Sequence, residues 1–210
     1  GILTIRTGMD RDRMRDTLSG TLLETIRAIA LTVEKRDPYT AGHQRHVAEL
    51  SLAIGRTLGW SKDRIEGLGL GASIHDIGII SIPAEILNRP GKLSRPEFEM
   101  IQAHPGIGQE IMAGVNFPWP VAEMILQHHE RLDGSGYPNG LKSGEIIEEA
   151  QIIAVADVVE AITSHRPYRP ALGIEAGLEE IERGRGTAYG PEIVDACIKV
   201  IKEGDFSWDE

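Results

Sequence analysis

Apolar residues recur at helical spacing along almost the whole chain, and no stretch shows the sustained alternation of apolar and polar residues that a strand needs. A period of 3.6 residues is typical of amphipathic helices, whereas half-buried strands have a period of two. The pattern therefore predicts an all-α fold. We expect helices over residues 12–36, 43–59, 61–78, 94–102, 105–114, 118–130, 146–164, 171–183 and 191–203.

Two segments interrupt the helical pattern. Pro83 and Pro90-Gly91 predict a loop between the third and fourth helices. Residues 131–145 hold five Gly and Pro positions, which predicts a second loop.

The length of the chain, 210 residues, suffices for one domain with a full core. We expect residues 20–210 to form that domain. Residues 1–19, rich in Arg and Asp, are expected to be a linker from an upstream sensor or receiver region. The chain begins with Gly1 rather than Met, which favours an excised piece of a longer protein.

Charge and composition exclude several classes of protein. The formal net charge of −10 argues against general affinity for DNA or RNA, because nucleic-acid polymers are bound largely through their phosphates. No apolar run approaches the roughly 20 residues that a bilayer span needs, so we expect no membrane segment. The single cysteine, Cys197, excludes an internal disulfide framework and a Cys-based zinc cluster. It also fits a cytoplasmic location, which we expect.

Two doublets indicate where the chemistry lies. His75-Asp76 and His128-His129 each fall near the end of a predicted helix. Adjacent side chains on a helix point about 100° apart, so each doublet suits two ions, or a position that bridges them, better than one ion.

Three further residues can complete such a site. His43, His104 and Asp157 each come from a different segment, and a carboxylate in the apolar run around Asp157 would be costly to bury unpaired. Imidazole and carboxylate together suit Fe, Mn or Zn. A lone histidine is more often a surface or core residue, and His46 and His165 are assigned to that class.

Several stretches of the chain match the motifs of one family in order: RDPYTAGH at 36–43, HDIG at 75–78, IPAEILNRPGKLSRPEFEMIQAHP at 82–105, HHERLDGSGYPNGL at 128–141, AVADVVEAITSHRPYRPAL at 154–172 and GTAYGPEIVDA at 186–196. With these motifs the chain resembles the HD-GYP domains, a branch of the HD superfamily of metal-dependent phosphohydrolases, over about residues 20–203. The resemblance implies a single all-helical domain with a metal centre. It also implies hydrolysis of cyclic di-GMP to the linear dinucleotide pGpG or to GMP.

The resemblance implies a set of metal ligands: His43, His75, Asp76, His104, His128, His129 and Asp157. Asp76 would bridge two ions, and the His75-Asp76 doublet would be catalytic, because the bridging water or hydroxide is the nucleophile in the family. The implied cofactors are two transition-metal ions, Fe or Mn first, with Zn, Ni or Co as alternatives.

The resemblance also implies the substrate contacts. Gly136, Tyr137 and Pro138 match the family's substrate loop, where Tyr137 would stack on a guanine or bond a phosphate, unless it only packs within a plain turn. Arg166 and Arg169 match basic residues that bind phosphate in the family, and guanidinium groups suit phosphate well.

Two positions depart from the family's pattern. Tyr39 stands where some members have a Glu that supports a third metal, and a phenol with a pKa of about 10 is a poor substitute. We therefore predict two metals. Ile79 stands where the family has a Lys that faces the scissile phosphate. Its loss would weaken substrate binding, transition-state stabilisation or both, unless Ile79 simply packs with Ile77 and Ile80 in the core.

Three functions stay open. The complete ligand set favours an active cyclic di-GMP phosphodiesterase. The alternatives are a catalytically weak or inactive domain that senses cyclic dinucleotides, and a phosphohydrolase for a different nucleotide. The implied partners are cyclic di-GMP, an upstream sensor or GGDEF-type domain, and a second copy of the chain in a homodimer.

Overall fold

The computed structural model describes residues 20–21, 24–26, 28–33, 42–89, 91–164, 171–204 and 206–208. Within these ranges, and after the helical residues of 20–33, the helices are α1 His43–Thr57, α2 Lys62–Ser73, a 3₁₀ helix Ile77–Ser81, α3 Ala84–Leu87, α4 Arg95–Gln102, α5 His104–Met112, α6 Val121–Gln127, α7 Glu148–Thr163, α8 Ile174–Arg183 and α9 Pro191–Glu203. Among the described residues β-pairing is limited to two isolated bridges, so the all-α prediction is confirmed.

Some of the predicted features fall outside this part of the chain. The expected linker, residues 1–19, lies outside the described residues, as do Tyr39, His165, Arg166 and Arg169. In the described ranges no helix is both long and apolar enough to cross a bilayer.

The described helices pack through two clusters of apolar side chains. The larger cluster joins α1, α2, α6, α7, α8 and α9, with Leu50, Ile153 and Ile181 fully buried. Helix α7 lies within it and is apolar on most of its faces, as expected for a helix surrounded by others. The smaller cluster joins the helical residues of 20–33 to the end of α2, the 3₁₀ helix, α5 and α6.

Two helices end earlier than predicted, and predicted metal ligands closely follow each of these ends. Helix α2 ends at Ser73, so His75 and Asp76 lie in a turn that leads into the 3₁₀ helix. Helix α6 ends at Gln127, so the His128-His129 doublet follows the helix instead of closing it. The predicted helices over 61–78 and 118–130 are therefore wrong at their C-terminal ends.

The early end of α2 has a cause in tertiary packing. The backbone of Gly78 lies against α5 so closely that a Cβ atom there would be 2.0 Å from the carbonyl oxygen of His104. Only glycine permits this approach, and the chain turns at residues 74–76 to make it. The turn brings Asp76 beside His104. In the same region, the loop predicted around Pro83 instead contains the short helix α3.

Candidate metal centre

The structure brings all seven predicted ligands together. Two groups form, in each of which one donor atom per residue lies within 4.8 Å of the others: His43, His75 and Asp157 in the first, and Asp76, His104, His128 and His129 in the second. His43 begins α1, His104 begins α5 and Asp157 lies in α7, while the two doublets occupy the turns after α2 and α6.

Asp76 faces both groups with its two carboxylate oxygens. Its Oδ2 atom lies 3.5 Å from Nε2 of His43 and 3.4 Å from Nε2 of His75. Its Oδ1 atom lies 3.1 Å from Nε2 of His104 and 3.7 Å from Nε2 of His128. A carboxylate in this orientation can give one oxygen to each of two ions.

Asp157 also lies between the groups. Its Oδ1 atom is 3.3 Å from Nε2 of His43, and its Oδ2 atom is 4.0 Å from Nδ1 of His129. The sequence predicted a bridging role for Asp76 alone, whereas the structure gives two carboxylates this position. Helix α7 holds Asp157 there because the helix is packed on most sides by the larger apolar cluster.

The histidines present the correct nitrogen for a metal. His75, His104 and His128 each donate from Nδ1 to the carbonyl of the residue three positions earlier, at 2.7, 2.8 and 2.6 Å. A proton on Nδ1 leaves the lone pair of Nε2 free to bind an ion. The Nε2 atom of His75 is buried and forms no hydrogen bond with any described residue. Because an unsatisfied buried nitrogen is costly, this donor set fits a metal ion well.

Glu160 is hydrogen-bonded to the candidate ligand His43 and is not among the predicted residues. Its Oε2 atom is hydrogen-bonded to Nδ1 of His43, and its Oε1 atom accepts from Oγ of Ser164 at 2.6 Å. Such a carboxylate orients a metal-binding imidazole and raises its basicity. The available signal was its position in α7, three residues after Asp157, which places both on neighbouring parts of one helix face.

The charges of the candidate ligands favour the binding of a cation. Burial lowers the pKa of His43, but hydrogen bonds with Asp76 and Glu160 outweigh burial and raise that pKa to about 10. Burial raises the pKa of Asp76, but the neighbouring histidines, His75 foremost, bring it well below its usual range. Burial, with the charges of its histidine neighbours, lowers the pKa of His128 to about 4. Asp76 is therefore ionised and His128 is neutral, whereas His43 is protonated between its carboxylate neighbours and would release that proton on binding an ion.

The centre opens into a cavity of about 650 Å³, within the range of small-molecule sites. Ile79 and Tyr137 line this cavity, as do two cationic side chains, Arg89 and Lys92. Much of the remaining lining is apolar: Ile86, Leu87, Leu93, Phe98, Ile101 and Ala161. The arrangement can hold an organic ligand with a negatively charged group at the metal end.

Gly136, Tyr137 and Pro138, the GYP loop, do not all face the cavity. Tyr137 lines the cavity and stacks on His129, with ring centroids 4.6 Å apart. Gly136 and Pro138 are not part of the lining. A Cβ atom on Gly136 would lie 2.5 Å from the carbonyl oxygen of His129, so glycine lets the loop lie against the histidine doublet.

A second buried glutamate holds this loop, and sequence reasoning assigned it no role. Glu130 is 2% exposed and accepts hydrogen bonds from the backbone N–H groups of Asn139 and Leu141, at 2.7 and 2.9 Å. The carboxylate satisfies two backbone N–H groups of a loop that lies outside the helices. Because Glu130 directly follows His129, it ties the loop to the metal ligands.

Residues 27–193 match the HD domain family. A Thermotoga maritima protein named cyclic di-GMP phosphodiesterase is 41% identical over 184 residues, which cover 87% of this chain and 50% of that protein. A Vibrio cholerae protein named 3′3′-cGAMP-specific phosphodiesterase 3 is 38% identical over 177 residues, which cover 84% of this chain and 38% of that protein. The chain thus spans half or less of the length of these relatives.

The fold has solved counterparts. Bd1817, a HDG"Y"P protein from Bdellovibrio bacteriovorus, matches with a TM-score of 0.64 at 20% identity, over 76% of this chain and 51% of that chain. An identity this low supports the fold alone. The family match includes every residue of the candidate centre, from His43 to Asp157. The chain therefore belongs to the HD domain family.

Proposed function

We propose that this chain is a metal-dependent phosphodiesterase that hydrolyses cyclic di-GMP to pGpG, GMP or both. The observation that carries the proposal is the position of Asp76, whose Oδ1 and Oδ2 atoms face two separate groups of histidines. Two metals joined by a carboxylate are a standard arrangement for phosphodiester hydrolysis. The relative from Thermotoga maritima, named for this activity, supports the substrate.

The ligand set indicates the cofactor. Imidazole and carboxylate donors suit Fe, Mn or Zn, and we propose two ions, Fe or Mn before Zn, Ni or Co. Bound ions would activate a water and stabilise negative charge on the phosphate. The protein's part is to hold the donors: carbonyl groups orient His75 and His128, and Glu160 orients His43.

The reaction needs one water per phosphodiester bond. The water oxygen bonds to phosphorus, the bond from phosphorus to the 3′ oxygen breaks, and a proton passes to that oxygen. The linear product carries a 5′ phosphate and a free 3′ hydroxyl. Tyr137 stacks on His129 and lines the cavity, which supports its proposed contact with a base or a phosphate of the substrate. Arg166 and Arg169 stay predicted phosphate contacts.

Two observations favour alternatives to this proposal, one for the substrate and one for the function. The relative from Vibrio cholerae is named for 3′3′-cGAMP, so the preferred substrate is open to test between cyclic dinucleotides. Ile79 lines the cavity at the position where the family's Lys is expected. An apolar residue there also fits a domain that binds the nucleotide and turns it over slowly or not at all.

Product analysis distinguishes these candidates. Anaerobically metal-loaded protein is incubated separately with cyclic di-GMP, 3′3′-cGAMP and cyclic di-AMP, and the products are separated by chromatography. We expect fastest turnover of cyclic di-GMP, and none with Asp76→Ala. Faster turnover of 3′3′-cGAMP would support the second substrate. Tight binding of cyclic di-GMP without product, at full metal content, would support the sensor.

The proposal also covers the location of the protein in the cell and its oligomeric state. We propose a cytoplasmic location, an upstream sensor or GGDEF-type partner domain, and a homodimer. Sedimentation velocity measures the dimer directly, and a species with the mass of one chain across the micromolar range would contradict it.

A further inference from the structure

The cavity contains two cationic side chains in addition to its histidines. Among the described residues that line it, Arg89 and Lys92 are the Arg and Lys side chains present. Both belong to the segment between α3 and α4, far in sequence from Arg166 and Arg169. A cyclic dinucleotide carries two phosphates, so an acidic chain must supply positive charge where they bind.

Arg89 already has a carboxylate partner. Its guanidinium is ion-paired with Glu97 in the first turn of α4. The same carboxylate accepts the backbone N–H of Ser94 at 2.8 Å. Glu97 therefore neutralises Arg89 and fixes both ends of the segment that carries Lys92.

Lys92 has no salt bridge to any residue that the structure describes, and its side chain is exposed at the cavity. A lysine without a carboxylate partner can pair with an anionic ligand. Its backbone is held by the contacts of Glu97 on either side, which lowers the entropy cost of contacting an anion.

Neither Ile79 nor Lys142 adds positive charge to the cavity. Ile79 lines the cavity and adds no charge, although the family has a Lys at that position. Lys142, in the loop over residues 131–145, is another candidate to replace the family's Lys. It is exposed and does not line the cavity. Position 79 lacks the family's cation, and Lys92 adds a cation to the same cavity.

We infer that Lys92 binds a phosphate of the cyclic dinucleotide and supplies the positive charge that Ile79 does not. The inference rests on the proposed function. Lys92 would be a substrate-binding residue outside the metal centre. An ammonium group on a flexible stem suits this role, because it can reach a phosphate from a different backbone position.

The test compares Lys92→Ala with Lys62→Ala, an exposed lysine at the start of α2 that lies outside the cavity lining. We expect Lys92→Ala to lower kcat/KM for cyclic di-GMP by about ten- to hundredfold, the range for a lost charge-assisted contact. The Kd of a phosphorothioate analogue that resists hydrolysis should rise in parallel. Lys92→Arg should restore most of both values, and metal content should not change.

The link to Ile79 is tested by a double-mutant cycle. Ile79→Lys should improve kcat/KM more in the Lys92→Ala background than in the wild type, because the two cations would substitute for one another. Equal kinetics and binding for Lys92→Ala and Lys62→Ala would overturn the inference alone. A metal-loaded wild type that neither binds nor cleaves cyclic di-GMP would overturn the proposed function first, and the inference with it.

Discussion

Nδ1 of His43, in the first turn of α1, is hydrogen-bonded to Oε2 of Glu160, in the last turn of α7, across 117 positions of sequence. Glu160 is 2% exposed, so this carboxylate has little water to solvate it and depends on its protein partners. Because the other nitrogen of His43 faces Asp76 and Asp157, the bond fixes which nitrogen is directed at the candidate metal centre.

Glu160→Gln should therefore weaken metal binding without removing a ligand. The amide keeps the size of the side chain but loses its negative charge, and loss of such a support typically costs about 10- to 100-fold in metal affinity. Competition with a chelator measures the change. Glu149→Gln is the matched control, because Glu149 is also a buried glutamate of α7 but pairs with Arg64, away from the centre. Equal affinities for the two variants would contradict the supporting role.

Asp76→Ala should lose both metals, whereas His75→Ala should lose mainly one. Asp76 faces both groups of donors, but His75 belongs to the first group alone. Elemental analysis after anaerobic reconstitution should give about two ions per chain in the wild type and almost none in Asp76→Ala. Asp195→Ala, at an exposed ion pair with Arg185, should keep both. One tightly held ion in Asp76→Ala would rule out the bridging role.

Tyr39→Glu should allow a third metal. The wild type should hold two ions, because a neutral phenol with a pKa of about 10 is a poor ligand at neutral pH. Tyr39 lies outside the described residues, so this stays a prediction from the sequence. Anomalous diffraction from crystals of both proteins counts the ions. Three neighbouring metal peaks in the wild type would contradict it.

Ile79→Lys should raise kcat/KM for cyclic di-GMP. Ile79 packs partly against the smaller apolar cluster and also lines the cavity, so a lysine there can reach the ligand without being fully buried. A charged contact is worth about 1.5–3 kcal/mol, which corresponds to about one to two decades in rate or affinity. Steady-state kinetics separates an effect on kcat from one on KM.

The control for this change is the next residue. Ile80 is 44% exposed and is not part of the cavity lining, so Ile80→Lys should leave the kinetics unchanged. If Ile79→Lys lowers the melting temperature and adds no activity, Ile79 serves packing instead, and the charge is costly at that site.

Cys197 should report on unfolding and on alkaline stability. The thiol is fully buried, and burial raises its pKa to about 12 from a usual value near 9. The buried thiol therefore contributes stability below about pH 9, and this contribution is lost as the pH rises from about 9 through about 12, because the unfolded thiol releases its proton first.

Urea unfolding between pH 7 and about 10 tests this linkage. The free energy of unfolding should fall with pH more steeply in the wild type than in Cys197→Ala, by at most about 1.4 kcal/mol per pH unit. A thiol reagent should react with the native protein only as fast as the protein opens. Parallel pH dependence in the two proteins, or rapid labelling under native conditions, would contradict the shift.

The sequence alone predicted the helical fold, because a period of 3.6 residues is a local property that survives in any packing. It also indicated the residues of the candidate metal centre, since histidine and aspartate are donors by their chemistry, and the structure brings all seven together. The loop over residues 131–145 was confirmed for the same local reason, its Gly and Pro content.

Tertiary structure decided what depends on distant residues meeting. The end of α2 was predicted too late, because the packing of Gly78 against His104 is invisible to local propensity. Which oxygen of Asp76 faces which histidine is set by the turn that this packing creates. The end of α6 was also predicted too late, and there the backbone of Gly136 lies against the carbonyl of His129. Glu160 and Lys92 escaped prediction because a buried hydrogen bond and a charge that lines a cavity exist only once the helices have assembled.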